Sequence, residues 1–177
     1  MTNLRELHFQ GRYLVSLSNT TFKAFPNFVE ELNLANCRFK AVRTKVDALR
    51  PFPSLRVIDI HATFMHLRRA LHLLYPSSYS NLTAMNLGHV SDDIIDSSDL
   101  SFVITITPDM MKYLKTICVE NLDLSDNGIV DIESGSLFSF DRPECLHNLS
   151  FKRNRCAIVN KRTLSYFNIL FAETLFF

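Results

Sequence analysis

Apolar residues recur along this chain in one irregular frame, repeated six times. With Leu4, Val29, Leu55, Leu82, Val119 and Leu146 as position 1, position 4 holds Leu7, Leu32, Ile58, Met85, Leu122 and Leu149. Position 6 holds Phe9, Leu34, Ile60, Leu87, Leu124 and Phe151. Neither a helical period nor a strand alternation generates this spacing over a whole copy, so it belongs to a repeat and not to one element. The starts are 25, 26, 27, 37 and 27 residues apart.

The spacing has a physical reading. Positions 3 to 7 form a short strand with 4 and 6 inward and 3, 5 and 7 outward. The chain then bends and returns along the other side of the core. Position 9 carries Cys37, Thr63, Asn127 and Asn154, whose side chains can satisfy backbone groups inside the bend. Phe22, Phe25, Phe140 and Phe167 fall where the back of the core is filled, which uses part of a supply of 15 Phe beside no Trp. No copy can bury its apolar face alone, so the stack is the folding unit. The expectation is an α/β right-handed solenoid, a horseshoe with one concave parallel sheet and a convex side of irregular chain and short helices. Residues 1–177 form a single array with a truncated seventh copy from 172. In "TFMHLRRALHLL", Phe64, Leu67, Leu71 and Leu74 have helical spacing and predict a return-side helix. The copy from 82 to 119 is about ten residues too long, and its excess in "SDDIIDSSDLSF" predicts a protruding loop.

Composition narrows the function. Net charge is +1 with 21% charged residues, so the chain is no polycation. Four glycines leave little for a phosphate-cradling loop, and no run of 18 apolar residues predicts a membrane span. There is no Gly-framed serine, no H-E-x-x-H and no P-loop. No catalysis and no cofactor are expected.

The segments "VEELNLANCRF", "VENLDLSDNGI" and "LHNLSFKRNRC" resemble the leucine-rich repeat, L-x-x-L-x-L-x-x-N/C-x-L. The run "NLDLSDNGIVDIESGSLFSFDRPECLHNLSFKRNRC" is similar to invertebrate Toll-like receptor ectodomains. That resemblance implies an extracellular or endosomal horseshoe that senses a protein or microbial-type ligand. It also implies receptor dimerisation, a single membrane helix and a cytoplasmic TIR domain, the last two lying outside this chain. Ala172, Leu175 and Phe177 open a seventh copy, and no cap precedes Leu4. The array is therefore expected to be an internal piece of a longer one.

The candidate partner-binding strand face comprises Glu6, His8, Gln10, Glu31, Asn33, Asp59, His61, Asn86, Asn121, Asp123, Ser125, Ser150 and Lys152, with Ala35, Val57 and Ala84 between them. The long loop, with Asp92, Asp93, Asp96 and Asp99, is a second candidate surface. These carboxylates lack the spacing of a calcium loop. Asn19, Asn81 and Asn148 open sequons. Cys118 and Cys145 both precede position 1 in adjacent copies, and strands about 4.8 Å apart suit a disulfide if the side chains point together. His61 and His89 should be neighbours across adjacent copies. Lys152, Arg153, Arg155, Lys161 and Arg162 make one copy basic, whereas a nucleic-acid ligand needs a basic stripe through several. Two other readings stand beside the receptor. One is an intracellular repeat scaffold that docks signalling partners. The other is a metal-dependent hydrolase built on Asp92–Asp99.

Overall fold

The computed structural model describes residues 4–9, 17–18, 20–39, 47–75, 81–90, 104–133, 135–136, 140–155 and 174–176. Seven short strands lie side by side in one parallel sheet, joined by coils that stack into a β-solenoid. They are β1 (Glu6–His8), β2 (Glu31–Asn33), β3 (Val57–Asp59), β4 (Asn81–Asn86), β6 (Cys118–Asp123), β8 (Asn148–Ser150) and β9 (Thr174–Phe176). Every pairing joins equal positions of the frame. Leu7 faces Leu32, which faces Ile58, and the row continues through Met85, Leu122 and Leu149 to Leu175.

The strands stop at position 5 rather than 7, because the backbone turns there. Hydrogen bonding between coils nonetheless continues through the turn. The position-6 amides of Phe9, Leu34, Ile60, Leu87 and Leu124 donate to the position-5 carbonyl of the next coil, at 2.7–3.0 Å. The position-8 amides of Asn36, Ala62, His89 and Asp126 donate to the position-7 carbonyl of the next coil, at 2.8–3.1 Å. Position 8 is left-handed in five coils, with φ of 61° at Asn36, 52° at Ala62, 50° at His89, 57° at Asp126 and 56° at Arg153. Asn and Asp suit that conformation, while Ala62 carries a backbone cost of about 1 kcal/mol.

Positions 1, 4 and 6 from the second to the sixth coil are buried, and they join in one continuous core. Each such side chain contributes about 1.5–3 kcal/mol through its removal from water. In the first coil Leu4 is 42% exposed. Phe9, Phe22, Phe25 and Phe52 form a tilted and edge-on cluster with ring centroids 5.2–6.2 Å apart. Phe140 is buried, and Phe167 lies outside the described residues.

The return side departs from the sequence expectation in two ways. First, it holds a second parallel sheet. β5 (Ile104–Ile106) pairs with β7 (Ile129–Ile132) across a register shift, with Ile104, Ile106, Ile129 and Ile132 buried. Ile104 lies 22 residues after Leu82 yet pairs with Ile129, 10 residues after Val119, so the extra chain precedes β5; the concave sheet has a companion on the return side, and helix is scarce among the described residues. Second, the return-side helix α1 spans Leu67–His72 and excludes Phe64. Leu67, Ala70 and Leu71 give it one buried face. Phe64 sits before it with φ of 55°, a conformation no helix continues. α2 (Pro108–Met111) follows β5, its start set by Pro108 and by the Thr107 Oγ1 that accepts from the Met110 amide at 3.2 Å. The loop residues Asp92, Asp93, Asp96 and Asp99 lie outside the described residues.

α1 is capped by an imidazole. The Nδ1 of His66 accepts from the Arg68 amide at 3.2 Å. Partial burial of the ring lowers its pKa, and the charges of Arg69 and Arg68 lower it further. A His with a depressed folded pKa contributes stability above its unfolded value of about 6.5 and loses it as pH falls through the folded value. Protonation also removes the capping acceptor. His66→Asn keeps an acceptor that does not titrate. It should therefore flatten part of the fall in urea midpoint between pH 7.5 and pH 5. An unchanged slope would remove His66 from that role.

Candidate functional site

The outward side chains at position 5 are not all available to a partner. The Oδ1 of Asn33, Asp59, Asn86 and Asp123 accepts from the position-7 amide of Ala35, His61, Gly88 and Ser125 in turn, at 2.8–3.0 Å. These residues therefore hold the bend that follows each strand. The alternation expected for a sheet face conceals this role. The signal was present in the sequence as Asx at position 5 in four successive copies.

At β1 and β2 the face is acidic around an imidazole. His8 Nε2 lies 3.6 Å from both Glu6 Oε2 and Glu31 Oε1. Further along, Asn121 donates to the Thr83 carbonyl at 2.7 Å and accepts from Asn148 at 2.6 Å. The Asn148 amide is thus already engaged. Asn81 is exposed at the start of β4, where its Oδ1 accepts from Arg142 at 3.0 Å. Gln10 and Asn19 lie outside the described residues.

Six of the expected face residues converge on one place. His61, Asn86, Asp123, Ser125, Ser150 and Lys152 line an open depression of about 470 Å³ at the position-7 edge of the sheet. Gly88, Asp126 and Arg153 complete it, three residues the sequence reading had not placed in a site. Their signal was positional, since all three occupy positions 7 and 8 of the same coils.

The floor is a hydrogen-bonded row. Asp123 Oδ1 accepts from Ser125 Oγ at 2.5 Å, and Ser125 Oγ meets Ser150 Oγ at 2.7 Å. The side is an ion pair in which Arg153 Nε donates to both oxygens of Asp126, at 2.8 and 2.9 Å. Hydrogen bonding to Asp126, and then its charge, raise the pKa of Arg153 above the ordinary value. Gly88 lets its neighbours pack closely. A Cβ there would lie 3.2 Å from Asn86 Oδ1, 3.5 Å from His61 Cδ2 and 3.6 Å from the Ser125 carbonyl oxygen.

A row of rings begins at this wall. The His61 and His89 ring centroids are 6.3 Å apart, and Phe64 meets His89 edge-on at 6.1 Å. Arg38 lies over Phe64 at 4.8 Å. Phe64 holds its left-handed backbone within this set, an uncommon conformation for a bulky residue.

On the opposite edge, at the start of β6 and in the turn before β8, Cys118 and Cys145 are disulfide-bonded with Cα atoms 5.4 Å apart. Cys37 is a buried thiol. Among the described residues no group of three or more His, Cys, Asp or Glu is placed to hold a metal ion, and no helix is long and apolar enough to cross a membrane. No protein-family model, curated protein or solved structure matches this chain.

Proposed function

We propose that this chain is a recognition module of the leucine-rich repeat type, part of the ligand-sensing ectodomain of a Toll-like receptor. The observation that carries the recognition reading is the depression. Nine residues at positions 5, 7 and 8 of successive coils line it, while the core behind them is closed. A solenoid uses such an edge as an extended docking surface. The Asn127 and Asn154 side chains inside the bend support the repeat type, through the backbone groups they bond. The Cys118–Cys145 bond supports an oxidising compartment. Its presence argues against the intracellular scaffold, whose cytosol would keep the pair reduced.

Site-specific photo-crosslinking on cells that produce the chain tests the reading. A crosslinker at Ser150 should give a discrete adduct. The same group at Arg69, on the exposed side of α1, should give none. Equal labelling at both sites would refute recognition through the sheet edge. A reduced Cys118–Cys145 pair in protein from its natural source would refute the receptor setting alone.

A further inference from the structure

We propose that the depression binds a neutral carbohydrate, an inference that rests on the recognition reading and names its ligand class. The charges at the site decide against the alternatives. An anion entering it would meet the carboxylates of Asp123 and Asp126, and a cation would meet Lys152 and Arg153. The Asp126–Arg153 pair is satisfied internally, through three hydrogen bonds of 2.5–2.9 Å. What remains is a mixed set of donors and acceptors with little net charge. Sugar hydroxyls suit it because each can donate and accept at once.

The hydroxyl row fits the same chemistry. Ser125 gives its hydroxyl proton to Asp123, so in the 2.7 Å contact between the two serines Ser150 donates. The row therefore runs from Ser150 through Ser125 to Asp123, and a bound hydroxyl extends it by donating to Ser150 Oγ. The second element is apolar. A sugar ring has a C–H face, and the imidazole of His61 lines the depression with His89 and Phe64 behind it. His61 thus offers one ring to the C–H face of a pyranose beside the polar groups. The third element is space. The volume of about 470 Å³ lies within the range of small-ligand sites.

The test is an amide NMR titration of the disulfide-intact chain with maltotriose, cellotriose, laminaritriose and chitotriose. Inositol hexaphosphate serves as the anionic probe and spermidine as the cationic one. At least one trisaccharide should shift the amides of Gly88, Ser125 and Ser150 with millimolar affinity. Gly88→Val should weaken it at least tenfold, and Ser150→Ala about threefold to tenfold. The far-side β7 amides act as the control for retained fold. Because Gly88→Val crowds the turn, Ser150→Ala carries the test if the first variant fails to fold. Shifts from inositol hexaphosphate or spermidine alone overturn the carbohydrate assignment. Silence toward every sugar while the Ser150 photo-adduct persists overturns it as well and leaves recognition standing. Silence in both experiments removes both.

Discussion

Asn127→Ala should lower the unfolding free energy by about 3–5 kcal/mol, read from urea midpoints at pH 7. The cost comes from what the side chain leaves behind. Asn127 is 1% exposed. Its Oδ1 accepts from the Val90 amide at 3.0 Å, and its Nδ2 donates to the Leu87 and Leu124 carbonyls at 2.8 and 3.0 Å. Truncation orphans the Val90 amide and the Leu87 carbonyl inside the bend, at about 1–3 kcal/mol each. Leu124 keeps a donor, because Asn154 Nδ2 reaches the same oxygen at 2.9 Å. The internal control is Asn154→Ala. That residue makes four side-chain bonds, to the Leu124 and Phe151 carbonyls and from the Asn127 and Ile129 amides. It is only half-buried, so water can replace much of what it provides, and about 1–2 kcal/mol is expected. Equal losses at the two positions would mean that water already reaches the interior bend and that the Asn127 network is no special brace.

Asn127 also marks how far the sequence carried the fold. The positions that pair across the sheet were legible because one constraint acts on them. Leu7, Leu32, Ile58, Met85, Leu122 and Leu149 must all leave water on the same side, and the equal frame spacing puts them in register. The return side was legible only at α1, where Leu67 and Leu71 share the buried face. β5 and β7 use Ile104, Ile106, Ile129 and Ile132 in a pairing between coils of unequal length, and a spacing rule cannot anticipate which segments then meet. Phe64 misled for a related reason. Its spacing to Leu67 and Leu71 satisfies a helix, but its φ of 55° places it in the turn before α1. Local periodicity is silent on backbone handedness. The site was half legible. His61, Ser125, Ser150 and Lys152 followed from outward alternation, whereas Asp126 and Arg153 depend on the left-handed position 8. The same alternation overstated Asn33 and Asp59, whose side chains serve the bend.

Removing the Cys118–Cys145 bond with paired serines should cost about 3–4 kcal/mol, from the entropy an open chain regains when a loop of this size is released. The residues are 27 apart in sequence, one coil. The bond joins the first residue of β6 to the turn at Pro143–Cys145 that leads into β8, so it clamps two adjacent coils at the edge opposite the depression. A stack held by nearest-neighbour contacts loses stability locally. Amide exchange should therefore accelerate most in β8 and least in β2 and β3. The depression draws Ser150, Lys152 and Arg153 from the coil of β8, so ligand contacts there should loosen before the N-terminal half unfolds. Mild reduction of the unmodified chain should reproduce the serine variant in both stability and exchange pattern. If exchange instead rises uniformly along all coils, the array unfolds as one unit. The disulfide would then act on the whole stack and not on the edge that carries the site.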